Sequence, residues 1–344
     1  MFFVQLFQFV NKRVSPDWHV NDTLTLLFET LLGVRKMQRN LICTVSGFLL
    51  FAPVGLDAAE MGGSVTLGFS KSDISVVPND LKTTTLDMNG YYDVGNGLSF
   101  GMNAALARID ITGGAPDLDA NYFGLDGKYR FSNGFAVGAY VERGHVKDSA
   151  GLLLGSVTLT SYGLTLGYET DDLSAEVYYG VSDTKPSLPA GIDIKDFGAR
   201  VQYDFAPNAF GVGAIGRTRI EGAGNSVDID LVSLGGGYSF NDSLMAYGGA
   251  QRASIGLVNV DVTTFGLGLA YKTAAISGIP TVLSLELARS TLDTPGPSVD
   301  IDTVRFGVTI PLGKSKSHAP LNSVVNGIQN GGHSVVTSGV LGAF

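Results

Sequence analysis

From about residue 60 onward, apolar and polar residues alternate in runs of about 12–15 residues, separated by short polar breaks. Phe123, Leu125, Gly127, Tyr129 and Phe131 form one such set, Phe197, Ala199, Val201, Tyr203 and Phe205 another, and Phe265, Leu267, Leu269 and Tyr271 a third. A period of two places each set on one face of a β-strand. The opposite face carries charged residues, or glycine and threonine. Breaks such as Ser132-Asn133-Gly134, Ala206-Pro207-Asn208 and Asn241-Asp242 read as tight hairpin turns.

The runs are organised by a repeat. An eight-residue frame ending in glycine recurs at Thr83–Gly90, Asp117–Gly124, Ser156–Gly163, Gly191–Gly198, Asp228–Gly235, Asn259–Gly266 and Asp300–Gly307. Its second position is aliphatic in all but the first instance, its third is Asp or Thr, and its seventh is aromatic or Leu in all but the first. Each unit is a hairpin with one tight turn and one longer connection. The pattern predicts fourteen strands over 62–72, 82–93, 98–112, 119–131, 135–147, 156–170, 173–185, 192–205, 209–221, 227–240, 243–256, 258–272, 282–293 and 299–312.

Composition turns this all-β pattern toward a membrane. Charged residues make up 16% of the 344, against about 25% in an ordinary soluble domain. Mean hydropathy is positive, +0.21, yet no run reads as a transmembrane helix, so the apolar residues must be dispersed by alternation. Tyr92, Tyr129, Tyr168, Tyr203, Tyr238 and Tyr271 recur at the tight-turn end of successive strands, as an aromatic girdle at a membrane interface does. A soluble β-sandwich also alternates. Its strands are usually about 5–6 residues long, whereas a tilted membrane strand needs roughly 9–11. The fold class predicted is a transmembrane antiparallel up-and-down β-barrel of about 14 strands, within a range of 12–16.

The N-terminus reads as targeting sequence. Met37–Asn40 is a short basic start, an apolar run follows to Leu56, and Asp57–Glu60 supplies small residues for cleavage. The predicted organisation is therefore an upstream extension or gene-model artefact over 1–36, a secretory signal over 37–59, a barrel over 60–313 and a flexible periplasmic tail over 314–344. Of the 23 Lys+Arg and 32 Asp+Glu, five and four lie in residues 1–59, so the remainder carries a net charge of −10. An acidic chain with no basic cluster argues against nucleic acid as a partner. The single Cys43 lies within the signal, which leaves the remainder without a disulfide.

The frame of aliphatic-Asp, then aromatic-Gly, then Tyr before a tight turn resembles the small Gram-negative porins, most clearly at Phe123-Gly124 with Tyr129, Phe197-Gly198 with Tyr203, and Phe265-Gly266 with Tyr271. The resemblance covers about 62–312. It implies residence in the bacterial outer membrane among lipid and lipopolysaccharide, insertion by the barrel-assembly machinery, and a water-filled channel for small hydrophilic solutes and ions. Family porins typically have sixteen strands, form trimers and fold a long third loop into the pore. Here the third outer connection is only about 148–155, so monomer and trimer both stay open. Family barrels usually end on an aromatic residue that closes the last strand, whereas here the last strand ends at Pro311-Leu312-Gly313.

In such a barrel function lies in the lumen. The predicted pore-lining residues are Asp126, Lys128, Arg130, Arg200, Gln202, Asp204, Lys272 and Arg305, which share the glycine phase, and Glu142, Glu176, Arg217 and Arg219 on neighbouring strands. Charged rings set ion preference, while charges paired across strands would merely fill a polar interior. Inward glycine and threonine, including Gly124, Gly163, Thr165, Gly198, Gly235 and Gly266, favour open space over filling. Asp228/Asp230 and Asp300/Asp302 form paired carboxylates at the outer ends of their strands, a solvated rim or a cation site. No catalytic constellation, metal-ligand spacing or phosphate-binding loop is present; His145, the only histidine within the strands, has no triad partners. The expectation is a passive channel without enzymatic activity, cofactor or metal. The alternative is a non-conducting structural or adhesive barrel.

Overall fold

The structure is a computed structural model that describes residues 60–76, 80–112, 117–148, 156–222, 224–256, 259–276, 279–313 and 319–342. The signal and upstream segments predicted over 1–59 lie outside the described residues.

Fourteen antiparallel strands close into a barrel in sequence order, β14 pairing back onto β1. They are β1 (Glu60–Ile74), β2 (Asp80–Gly95), β3 (Leu98–Ile111), β4 (Leu118–Arg130), β5 (Phe135–Asp148), β6 (Ser156–Glu169), β7 (Leu173–Lys185), β8 (Ile192–Ala206), β9 (Ala209–Gly222), β10 (Asn225–Ser239), β11 (Leu244–Ile255), β12 (Val260–Ile276), β13 (Ile279–Asp293) and β14 (Val299–Gly313). The closing register runs from Gly62 opposite Gly313 to Ile74 opposite Ile301. Closure leaves no strand edge, as a sheet in hydrocarbon requires. Tight turns join β2–β3, β4–β5, β6–β7, β8–β9 and β10–β11 at the end that also holds Glu60 and Gly313. Asn96 and Gly97 at the first of these adopt positive φ, 57° and 84°, and a Cβ at Gly97 would lie 2.1 Å from the Arg130 carbonyl oxygen.

The outer wall shows why the strands alternate. Leu164, Leu166, Leu234, Leu267 and Leu287 stand exposed on it, Leu234 at 71% of its surface. At the tight-turn end Tyr129, Tyr168, Tyr203 and Tyr238 each meet a phenylalanine edge-on (Phe131, Phe135, Phe205 and Phe240), with ring centroids 4.9–5.4 Å apart. Tyr271 also stands outward and exposed, and Tyr92 shares this phase opposite Phe100.

The strands are longer than a membrane demands. Fourteen residues at about 3.3 Å each, tilted by about 40°, rise about 35 Å, against an apolar band of about 25 Å. The surplus lies at the loop end, where the outer wall becomes a belt of ion pairs. Lys71 meets Asp80 at 2.8 Å, Arg108 meets Asp117 at 2.7 Å, Arg219 meets Asp228 at 2.7 Å, Arg252 meets Asp261 at 2.8 Å and Arg289 meets Asp302 at 2.6 Å. Arg217 likewise pairs with Asp230. The paired aspartates of the frame thus belong to a charged outer collar. Among the described residues no cluster of three or more metal-ligating side chains occurs.

The C-terminal segment is not a flexible tail over its described part. Residues 319–342 enter the barrel and form two short helices, α1 (Val324–Asn330) and α2 (Val335–Gly342). Helix α1 packs against β9, β10, β11 and β12, and α2 against β9 and β10. Val324, Val325 and Ile328 bury themselves among Phe210, Val212, Tyr247, Ala270 and Ala288 of the wall. The aliphatic residues at 324, 325 and 328 have helical spacing, but seven residues are too few for that period to stand out in sequence.

The outer wall generates a test. Leu234→Arg, in the apolar band, is expected to destabilise the barrel by about 2–4 kcal/mol. Arg252→Ala, in the exposed collar, is expected to change stability by less than about 1 kcal/mol. Reversible denaturant unfolding in lipid vesicles distinguishes the two.

Candidate functional site: the plugged lumen

Strand phase decides which side chains reach the lumen. Asp126, Lys128 and Arg130 point inward from β4, Glu142 from β5, Glu176 from β7, and Arg200, Gln202 and Asp204 from β8, each alternating with residues exposed on the outer wall. Lys272 and Arg130 stand exposed at the tight-turn mouth. Arg305 points inward and is 4% exposed.

Arg217 and Arg219 are corrections. They share the phase of Ile215, which is exposed on the outer wall, and they pair with outward Asp230 and Asp228. Strand β9 separates Phe210, Val212 and Ile220 on one face from Arg217, Arg219 and Glu221 on the other, but alternation alone does not say which of the two faces the lumen. The cross-strand register, Arg217 opposite Asp230 and Arg219 opposite Asp228, does.

The inward charges hold the plug. Each helix begins against a glutamate of the wall. The Val324 N–H donates to Glu286 at 3.1 Å, and Glu286 is itself paired with Arg305 at 2.7 Å. The N–H groups of His333 and Ser334, just before α2, donate to Glu142 at 2.8 Å and 3.1 Å. Tyr122 donates its hydroxyl to the same carboxylate at 3.1 Å. The first N–H groups of a helix have no partner within it and carry partial positive charge, so a carboxylate there supplies both an acceptor and a counter-charge. Glu142 and Glu286 are each 2% exposed.

Polar contacts complete the attachment. The Val335 N–H donates to Thr218 Oγ1 at 2.9 Å, and Thr218 donates to Asp196 at 2.5 Å. Arg200 donates to the Gly332 carbonyl, and Gln329 to Gln202 at 2.7 Å. The His333 ring stacks on Tyr140 at 3.7 Å between centroids and meets Tyr178 edge-on at 4.9 Å. Its Nδ1 lies 3.2 Å from Glu142 and its Nε2 3.5 Å from Glu176.

The inward glycines expected to leave the lumen open instead make room for these parts. A Cβ at Gly266 would lie 2.8 Å from Val324 Cγ2, and one at Gly235 would lie 3.2 Å from Ile328 Cδ1. At Gly180 and Gly198 the space is taken by the hydroxyls of Tyr140 and Tyr178, 2.1 Å and 2.5 Å from such a Cβ. Sequence reasoning named Glu142 and Arg305 but missed Glu286, Asp196, Thr218 and His333. Glu286 shared the inward phase of β13 and was in principle legible.

The plug divides the lumen. One chamber, of about 230 Å³, is lined by Asp126, Lys128, Glu142, Glu176, Arg200 and Gln202 together with α1 and His333. The other, of about 540 Å³, lies among the loop-end halves of the strands.

A closed membrane barrel with an inward-facing charged wall defines an outer-membrane channel. The sequence pattern of the Gram-negative porin family matches residues 56–254, more than half of the chain, and the chain belongs to that family. No curated protein sequence matches it. Among solved structures it is similar to a FadL homologue of Pseudomonas aeruginosa (12% identity, TM-score 0.45, covering 74% of this chain and 90% of that one). It is also similar to the outer-membrane protein OmpT of Vibrio cholerae (12%, 0.43, 76% and 99%) and to the CymD monoaromatic hydrocarbon channel (13%, 0.43, 75% and 90%). Residue roles do not carry over at such distances.

Removing the helix-start acceptors is expected to loosen the plug while sparing the barrel. Glu142→Gln with Glu286→Gln weakens charge-assisted hydrogen bonds worth about 1.5–3 kcal/mol each. Amide exchange at 324–338 is then expected to rise by one to two orders of magnitude, with strand amides unchanged, as measured by hydrogen–deuterium exchange.

Proposed function

We propose that the chain is a gated outer-membrane porin, in which small hydrophilic solutes and ions diffuse through the lumen when the C-terminal plug is displaced. The observation that carries this reading is the match between wall and plug. The charged residues that would line a porin's pore are spent on helix starts and backbone groups of a removable segment. In the plugged state the charged chamber is separated from the outer half by α1, α2 and the residues between them. Displacement bares Glu142, Asp196, Arg200 and Glu286 to water, which converts a hydrogen-bonded seat into a charged pore wall. The short helices suit a segment that moves, since so few helical turns have little stability of their own. No step in this passage requires a cofactor or an enzymatic reaction.

The alternative is a structural barrel that never conducts. The two readings separate in planar bilayers. A variant ending at His318 is expected to give stable conductance steps with a reversal potential in a salt gradient. The intact protein is expected to open rarely or to a smaller level. If the shortened variant is a heat-modifiable, correctly inserted barrel and gives no steps, the structural reading replaces the porin reading. If the intact protein conducts as well as the shortened one, the plug is no gate.

A further inference from the structure

The inner wall changes chemistry halfway along the strands. At the tight-turn half it is glycine, threonine and charge on β4–β8, and on β9–β13 an apolar seat for the plug formed by Phe210, Val212, Tyr247 and Ala270. At the loop half the second and fourth positions of the repeated frame face inward on β4, β6, β8, β10, β12 and β14, and on most of these they are aliphatic, as at Val157 and Leu159, Ile229 and Leu231, and Val260 and Val262. On these six strands the third position, Asp or Thr, faces outward, where Asp230, Asp261 and Asp302 join the collar of ion pairs. Over this height the barrel is thus inverted relative to its membrane half, with charge outside and apolar residues inside. Neighbouring inward residues extend the apolar rim, with Ile109, Ile111 and Leu118 in one buried cluster and Val260, Leu292 and Val299 in another.

Val157, Leu159, Ile194, Ile229, Leu231 and Val262 line the chamber of about 540 Å³, floored by the plug between Leu321 and Gly339. A passage for hydrophilic solutes gains nothing from such a lining. Apolar walls hold water poorly and favour an apolar occupant. The volume falls within the range of about 300–1,000 Å³ for small-molecule pockets, and a wall closed all round with a floor beneath leaves no room for a folded partner or a second copy. We infer that the outer half of the barrel is a binding site for one small, uncharged, predominantly apolar molecule resting on the plug. Polar groups in the lining, among them Asp87, Asn103, Gln251, Arg305 and the plug's Asn322 and Asn326, would face any polar end that the molecule carries. This site stands whether or not the pore conducts.

The protein purified from the outer membrane of an expressing Gram-negative host and placed in lipid nanodiscs tests this with the apolar fluorophore N-phenyl-1-naphthylamine. Above the partitioning seen with empty discs, one saturable site per barrel is expected, displaced by unlabelled naphthalene. Ile194→Asn with Leu231→Asn is expected to weaken it at least tenfold, while heat-modifiability and protease resistance of the plug persist. Lys195→Gln, at the same height on the outer wall, is expected to leave it unchanged. Should the asparagine pair fail to fold, Ile194→Thr with Ile229→Thr keeps strand-compatible side chains and is expected to weaken binding in the same direction. The inference is overturned if no saturable component exceeds empty discs. It is equally overturned if folded inner-wall variants bind as the parent does, or if Lys195→Gln weakens binding as much as they do, which would mark the probe as lipid at the barrel's outer surface.

Discussion

Every backbone N–H and C=O in the apolar part of a membrane must find its partner within the protein. In this chain that demand is met by a ladder that returns from β14 to β1. Once the ladder closes, each residue has only two directions available, toward lipid or toward the lumen, and the period of two fixes which it takes. The apolar outer band, the tyrosine–phenylalanine pairs at the tight-turn end and the inward charges all follow from that choice.

The same ladder runs past the membrane. Where the surroundings change from hydrocarbon to water, the outward residues change from leucine to paired charge, as at Arg219–Asp228 and Arg289–Asp302. The inward residues change in the opposite sense. A single strand such as β8 carries both arrangements. Ile192 and Ile194 lie inside with Asp193 and Lys195 outside at one end, and Arg200 and Gln202 lie inside with Val201 and Tyr203 outside at the other. The plug sits where the inner surface changes character. Its aliphatic residues meet Phe210, Val212 and Tyr247, while its helix starts meet Glu286 and Glu142. Buried carboxylates are costly without partners, so wall and plug each complete what the other leaves unsatisfied.

Much of this was legible in the residues. The glycine-terminated frame marked out the fourteen strands in order, and the aromatic residue before the frame's glycine, as at Phe123, Phe197 and Phe265, fixed the outward phase, whereas Tyr140, Tyr178 and Tyr247 at other positions face inward. The phase failed on β9, where the face bearing Arg217, Arg219 and Glu221 reads as luminal if charge is expected inside, whereas at the loop half charge lies outside. The aliphatic residues at the second and fourth frame positions share the phase of Gly198 or Gly235, so the apolar inner rim was present in the pattern. It was obscured by the ordinary expectation that a porin interior is polar along its whole length.

The sequence alone determined the all-β class, the number and order of strands and most of the wall's inward and outward positions. These depend on local alternation and turn chemistry, which are written at spacings of two to eight residues. Only the tertiary structure decided the fate of the C-terminal segment and the meaning of the inward glycines. Val324 and Gly266, or His333 and Tyr140, are separated by 58 and 193 positions yet meet in the lumen. The helices formed there are too short to declare themselves by period, and they exist because a particular wall supplies their missing hydrogen-bond acceptors and the space left by absent side chains. Such complementarity belongs to surfaces brought together by closure, and a linear pattern does not record it.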